Sequence, residues 1–196
     1  MICDFCNDSI KDRILYETNN YIVFTTLGAF VPGYLLIIPK IHTIAFCNLP
    51  KKLLEEFQDL LEKTRNIIES KYGDTIIFEH GESGGSVPHA HMHIIPINNI
   101  DELILKESHL VKINCITYLS EISPPYLFYG NSKREYYLIQ HKNGDIPSQY
   151  LRQLSCQSIA HNDWNWKIHG NQDNINRTKE DLIETFNSLK GENIHE

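Results

Sequence analysis

Residues 88–96 read PHAHMHIIP, and the alternation of His89, His91 and His93 with Ala90, Met92 and Ile94 constrains the fold more than any other stretch. Side chains of an extended strand alternate between faces, so three imidazoles share one side and three apolar groups the other. The stretch therefore calls for a strand whose apolar face meets a core. At about 3.3 Å rise per residue, neighbouring histidines start roughly 6.6 Å apart and the outer pair about 13 Å apart. One metal ion could take two of them, hardly all three. A single histidine is most often an ordinary surface residue. Three in alternation are different, because imidazole titrates near neutrality and can act as nucleophile, acid, base or ligand.

The neighbouring sequence supplies a sheet for that strand. ILYETNNYIVFTT holds two β-branched and aromatic runs around the turn pair Asn19-Asn20, and GYLLIIP is apolar almost throughout, as in a strand buried on both faces. In LPKKLLEEFQDLLEKTRNIIESKYG, the residues Leu53, Leu54, Phe57, Leu60, Leu61, Thr64, Ile67 and Ile68 recur at helical spacing, with Gly73 placed to stop a long covering helix. DTIIFEHG and PHAHMHIIPI follow as two further strands, joined by the small-residue loop GESGGSV. Strands, helix and strands in one block predict an α+β fold with a mainly antiparallel sheet over residues 1–100.

Past residue 98 the pattern weakens. IDELILKES predicts a short helix, PPYLFYGN and REYYLIQHK a strand pair, IPSQYLRQLSCQSIAH a helix with Pro147 in its first turn, and TKEDLIETFNSLK a final helix. HGNQDNINR reads as a surface loop, and no linker is long enough to separate independent domains. Residues 101–196 are expected as an α/β extension packed on the first hundred.

Composition narrows the partners. A formal net charge of −7 over 196 residues, with acidic groups spread along the chain, gives no broad basic surface for a nucleic-acid polymer. No apolar run reaches membrane-spanning length, and MICDFCNDSIKDR lacks the basic and apolar segments of a secretory signal, so a soluble cytoplasmic protein is expected. Five cysteines, three of them scattered (Cys47, Cys115, Cys156), fit reduced thiols better than a disulfide framework.

Two more features carry chemistry. Cys3 and Cys6 have the CxxC spacing that lets a tight turn present two sulfurs to one zinc; no second CxxC exists, so histidines must complete any closed site. The candidates are His42 and one member of the histidine row. In the loop before the row, Ser83, Gly84, Gly85 and Ser86 offer backbone N–H groups and hydroxyls suited to a phosphate.

Together LGAFVPGYLLIIPKIH, IIFEHG, GGSVPHAHMHIIP and the leading CDFC resemble the histidine-triad (HIT) superfamily of nucleotide hydrolases and transferases. The likeness covers about the first 100 residues, while IPSQYLRQL and WNWK resemble a bacterial-type branch with an extended carboxyl-terminal half. It implies a HIT-like fold and makes His91 the nucleophile that attacks an α-phosphate and forms a nucleotidyl-imidazole intermediate. His93 then contacts the phosphate and helps protonate the leaving group, with N–H groups of residues 83–86 stabilising the charged oxygens. In zinc-containing members, galactose-1-phosphate uridylyltransferase among them, a structural zinc is held at positions matching Cys3, Cys6, His42 and His89. A small nucleotide substrate and a homodimer are further implications.

Two positions depart from the family pattern. Gly85 stands where many members carry a phosphate-contacting glutamine, and Thr26 where an acidic or amide residue holds the ribose. Gln149 and Arg152 are candidates to compensate by reaching the phosphates from the appended half. Two other readings fit the same residues: a catalytically weak nucleotide-binding module, and a metal-dependent hydrolase in which triad histidines and Glu79 or Glu82 bind a catalytic metal.

Overall fold

The computed structural model describes residues 3–98, 100–106, 109–140 and 146–192, with side chains through Leu189. Strands β1 (Ile14–Glu17), β2 (Tyr21–Thr25) and β3 (Leu35–Pro39) form a meander. Helix α1 (Lys51–Tyr72) follows, then β4 (Ile76–Glu79) and β5 (Met92–Ile95). After a short α2 (Asp101–Ile104), β6 (Leu110–Ile113), β7 (Leu127–Gly130) and β8 (Tyr136–Ile139) precede α3 (Tyr150–Ser158) and α4 (Gln172–Glu192). The eight strands make one antiparallel sheet in the order β1-β2-β3-β5-β4-β7-β8-β6, an α+β architecture as the sequence predicts.

Alternation along the strands builds two cores. Leu35, Ile37, Ala90, Met92, Ile94 and Phe128 face a cluster completed by Leu54, Phe57, Leu61 and Ile68 of α1. Leu36, Ile38, Phe78, Ile95 and Tyr129 face a second cluster with Leu151 and Cys156 of α3 and Ile175 of α4. The sheet is therefore buried on both sides, which is why GYLLIIP carries no polar alternation. Helix α1 stops where Gly73 takes φ +84° and its N–H donates to the Glu69 carbonyl, 3.1 Å away. That left-handed conformation costs a β-carbon more than it costs glycine.

The halves meet at a strand ladder. β4 pairs with β5 on one side and with β7 on the other, in the register Ile77↔Gly130, Phe78↔Tyr129, Glu79↔Phe128. Buried Arg65 of α1 spans the join, donating to the Thr75 hydroxyl (3.0 Å) and to the carbonyls of Thr75 (2.9 Å) and Asn131 (3.0 Å).

Some local expectations change. β6 was not anticipated from the sequence: three of its four residues are only partly buried or exposed, so it has little apolar pattern. HGNQDNINR is not all loop, because α4 begins at Gln172; Asn171 caps it by accepting from the Asn174 N–H (3.0 Å), and Ile175 is buried. Pro147 lies before α3 rather than in its first turn, since Gln149 at φ +60° starts that helix. In PHAHMHIIPI the regular strand begins only at Met92. Residues 107, 108, 141 and 142, at the ends of two expected segments, lie outside the described residues. No helix among the described residues is long and apolar enough to cross a membrane.

Glu79, at the end of β4, is buried, accepting from the Phe46 N–H (2.8 Å) and lying 2.5 Å from the Tyr126 hydroxyl. Burial pushes its carboxyl up from 4.5 to about 7, so the folded state holds a proton that the unfolded chain has lost. The resulting stabilisation is full below about pH 4.5 and is lost as pH rises through about 7. Glu79→Gln, which mimics the protonated acid, is expected to remove that component, roughly 2–3 kcal/mol between pH 4.5 and 8 in denaturant titrations. Parallel pH profiles for parent and variant would contradict this role.

Candidate functional site

On the face opposite α1, a cavity of about 270 Å³ is lined by His80, His91, His93, Ser86, Gln149 and Arg152, with Asp4, Phe5, Arg13, Thr26, Leu27 and Trp166 among its other walls. Its residues come from both halves of the chain. The apolar residues between the histidines fix the row: Ala90, Met92 and Ile94 are buried on the α1 side, and the Ala90 N–H donates to the Thr43 carbonyl at 2.7 Å.

His91 Nδ1 lies 2.6 Å from the His89 carbonyl, which can only accept, so Nδ1 carries the hydrogen and Nε2 keeps its lone pair. Burial lowers the imidazole to about 4, and His91 is neutral at physiological pH. His93 Nδ1 lies 2.6 Å from the Tyr34 hydroxyl, and its buried Nε2 has no partner among the described residues. The His93 ring stacks on Phe78 at 4.3 Å between centroids and stands 4.9 Å from His91. Burial, then the neighbouring His91, holds it well below the ordinary histidine range. Sequence reasoning missed His80: its Nε2 accepts from the Leu151 N–H of α3 at 3.2 Å, and burial takes it to about 3. Its place in IIFEH, one residue past a strand, gives no distinguishing signal.

Arg152 is almost fully buried. It donates to Tyr34 Oη (2.7 Å) and to the carbonyls of Gly28 (2.8 Å) and Trp164 (2.8 Å), and its guanidinium lies 5.4 and 5.2 Å from the ring centres of Phe30 and Tyr34. A β-carbon on Gly28 would overlap Arg152 and Trp166, so the close approach requires glycine there. These acceptors are neutral, and among the described residues no carboxylate pairs with Arg152. A buried guanidinium on a cavity wall suits an anion.

Of the loop residues expected to cradle phosphate, Ser86 lines the cavity and accepts from the Trp166 indole N–H at 2.7 Å. Gly85 lines an adjoining cavity that shares His80, Ser86 and His91. Ser83 and Gly84 line neither. Ser83 N–H turns to the His80 carbonyl, and the Gly84 carbonyl accepts from Gln149 N–H at 2.8 Å, fastening the loop to the start of α3. Gln149 faces the cavity, with its amide held by Asn165 (3.2 Å) and by the Trp166 N–H (3.4 Å).

A second cluster adjoins the cavity. The donor atoms of Cys3, Cys6, His42 and His89 all lie within 4.8 Å of one another. His89 Nδ1 is 3.3 Å from Cys3 Sγ and 3.4 Å from Cys6 Sγ, and His42 Nδ1 is 3.3 Å from Cys6 Sγ. Metal–sulfur and metal–nitrogen bonds of about 2.3 and 2.1 Å in a tetrahedron give an S···N edge of roughly 3.6 Å. The four side chains therefore fit a closed Cys2His2 metal centre. His89 Nε2 donates to the Pro39 carbonyl at 2.9 Å, which fixes the tautomer that leaves Nδ1 for a metal. Phe5, between the cysteines, meets the rings of both His89 and His91 edge-on at 5.8 and 5.4 Å. No comparable group among the described residues combines His91 or His93 with Glu79 or Glu82.

Comparison with known proteins finds related chains. Residues 7–100 match the HIT domain family model. An uncharacterized HIT-like protein of Methanocaldococcus jannaschii is 28% identical over 127 residues, covering 62% of this chain and 98% of that protein. Bis(5'-adenosyl)-triphosphatase of Saccharomyces cerevisiae is 34% identical over 105 residues, covering 48% of this chain and 50% of that enzyme. The chain thus spans half the length of that yeast relative. A HIT family protein of Bacillus subtilis with a solved structure aligns at 25% identity over 49% of this chain and 73% of that chain, with a TM-score of 0.44. Over residues 7–100, just under half of its length, this chain is thus similar to HIT domain proteins.

Proposed function

We propose that the protein is a nucleotide hydrolase or nucleotidyltransferase that acts at an α-phosphate through a covalent intermediate on His91. The observation that carries this reading is the 2.6 Å contact between His91 Nδ1 and the His89 carbonyl, which leaves a neutral Nε2 lone pair beside the cavity. Such a nitrogen is a competent nucleophile without prior deprotonation. Its attack forms a P–N bond as the bond from phosphorus to the leaving group breaks, and the leaving group departs with that electron pair. A water oxygen, or an acceptor hydroxyl or phosphate, then attacks phosphorus. The P–N bond breaks, its pair returns to Nε2, and a proton lost by an attacking water or hydroxyl passes to solvent.

The other groups have matching tasks. His93 presents Nε2 to the phosphate, Arg152 supplies fixed positive charge, and Ser86, Gly85 and Gln149 offer polar contacts around it. Ser83 and Gly84 act one step back, by holding the loop on α3. The name of the yeast relative favours a dinucleoside polyphosphate as substrate, with a nucleoside phosphoramidate as the other candidate. Cys3, Cys6, His42 and His89 would hold a structural zinc, whose four protein ligands leave no position for substrate. It would tie the amino terminus, and with it Phe5, to the backbone that bears His91. A second reading, a nucleotide-binding module with weak turnover, is favoured only by Gly85 in place of glutamine.

Three outcomes test these assignments. His91→Ala is expected to lower turnover of diadenosine polyphosphates at least about 10³-fold with nucleotide binding retained; turnover equal to the parent would refute the covalent role. Arg152→Met is expected to raise KM roughly tenfold to a hundredfold, the worth of a charge-assisted contact, and unchanged affinity would remove Arg152 from the binding machinery. Metal analysis should find one zinc per chain, and chelation should lower Tm by roughly 5–15 °C while folded protein still turns over. Activity that disappears on mild chelation without loss of fold would instead favour a catalytic metal.

A further inference from the structure

The appended half reaches His93 through one intermediary. Arg152 Nη1 donates to Tyr34 Oη at 2.7 Å, and Tyr34 Oη lies 2.6 Å from His93 Nδ1. Tyr34 is fully buried, and Arg152 and His93 are nearly so. A guanidinium has donors only, so the phenol oxygen accepts from Arg152. The hydroxyl has one hydrogen, and among the described contacts His93 Nδ1 is the acceptor within its reach. Turning that hydrogen elsewhere would leave a buried donor unpaired.

We infer that Tyr34, itself oriented by Arg152, is a positioning residue that donates to His93 Nδ1 and holds this imidazole in the tautomer carrying its hydrogen on Nε2. The inference deepens the proposed function and rests on it for its catalytic meaning. His91 and His93 then hold opposite tautomers side by side. His91 is protonated on Nδ1 and offers a lone pair, whereas His93 is protonated on Nε2 and offers a hydrogen. The Nε2 of His93, buried and without a partner among the described residues, is the donor such an arrangement keeps for a phosphate oxygen. A neutral ring bonded in this way stabilises developing charge but does not surrender its hydrogen, so the leaving group departs as an anion. The expected aid of His93 in protonating the leaving group is thereby replaced by hydrogen-bond donation. A leaving phosphate needs no proton to depart, whereas the amine of a phosphoramidate does, so this arrangement favours a phosphoanhydride substrate.

The assignment also explains why residues so far apart in sequence converge. Arg152 donates from Nε to the Trp164 carbonyl and from Nη2 to the Gly28 carbonyl, which holds the guanidinium with Nη1 directed at Tyr34. The row of histidines therefore takes its two tautomers from two sources: a backbone carbonyl within the row for His91, and a relay from α3 for His93.

The test is the long-range proton–nitrogen spectrum of the full chain labelled with ¹⁵N-histidine, recorded at neutral pH without substrate. The expected result is His93 with a protonated Nε2 and an unprotonated, hydrogen-bonded Nδ1. Tyr34→Phe should move the Nδ1 resonance toward that of a free pyridine-type nitrogen and lower kcat roughly tenfold or more, with KM within about threefold. A parent spectrum showing Nδ1–H on His93 overturns the assignment, and it does so whether or not Tyr34→Phe folds. A folded Tyr34→Phe with unaltered His93 resonances and unaltered kcat overturns the positioning role. Nε2–H on His93 in a protein that turns over no nucleotide contradicts the proposed function and leaves the tautomer assignment standing.

Discussion

The short contact from His91 Nδ1 to the carbonyl two residues earlier is the interaction on which the rest of the site depends. Burial keeps this imidazole neutral, and the contact decides which nitrogen carries the hydrogen and which the lone pair; it works only if the 89–91 backbone is rigid. Three anchors supply that rigidity. Ala90 and Met92 are set in the α1 core, the Ala90 N–H is tied to Thr43, and His89 is fastened to Pro39 and to the Cys3, Cys6 and His42 cluster. The nucleophile candidate therefore inherits its geometry from groups that never touch substrate.

The second dependence runs through the carboxyl-terminal half. β7 extends the sheet at the edge of β4, and α3 places Gln149, Leu151 and Arg152 against the loop, His80 and Tyr34 respectively. A chain cut after residue 100 would leave β4 with an unpaired edge and the cavity without its buried guanidinium. The extension is in this sense part of the site, and it supplies a cation in a region where Gly85 offers no side chain.

Much of this was legible in the sequence. Period-two alternation in PHAHMHIIP assigned the apolar face, helical spacing assigned α1, and the resemblance to zinc-containing HIT members singled out Cys3, Cys6, His42 and His89, whose donor atoms meet in space. What could not be read there depends on packing between distant segments. His80 and Tyr34 acquire their roles from Leu151 and Arg152, 71 and 118 residues away in the chain. β6 lacks the two-sided apolar pattern that marks the central strands, and the early start of α4 depends on an asparagine cap inside a polar run. The loop 83–86 shows the limit of composition most plainly, because its small residues divide between the cavity and the anchoring of α3.

The most direct measurement of the central claim is mass spectrometry of the native protein quenched during turnover of a nucleotide panel, with the modified peptide mapped. The account predicts a nucleotidyl adduct on His91, acid-labile as a phosphorus–nitrogen bond is, with His89 and His93 unmodified. Turnover without any adduct on His91, or an adduct placed on His93, would contradict it.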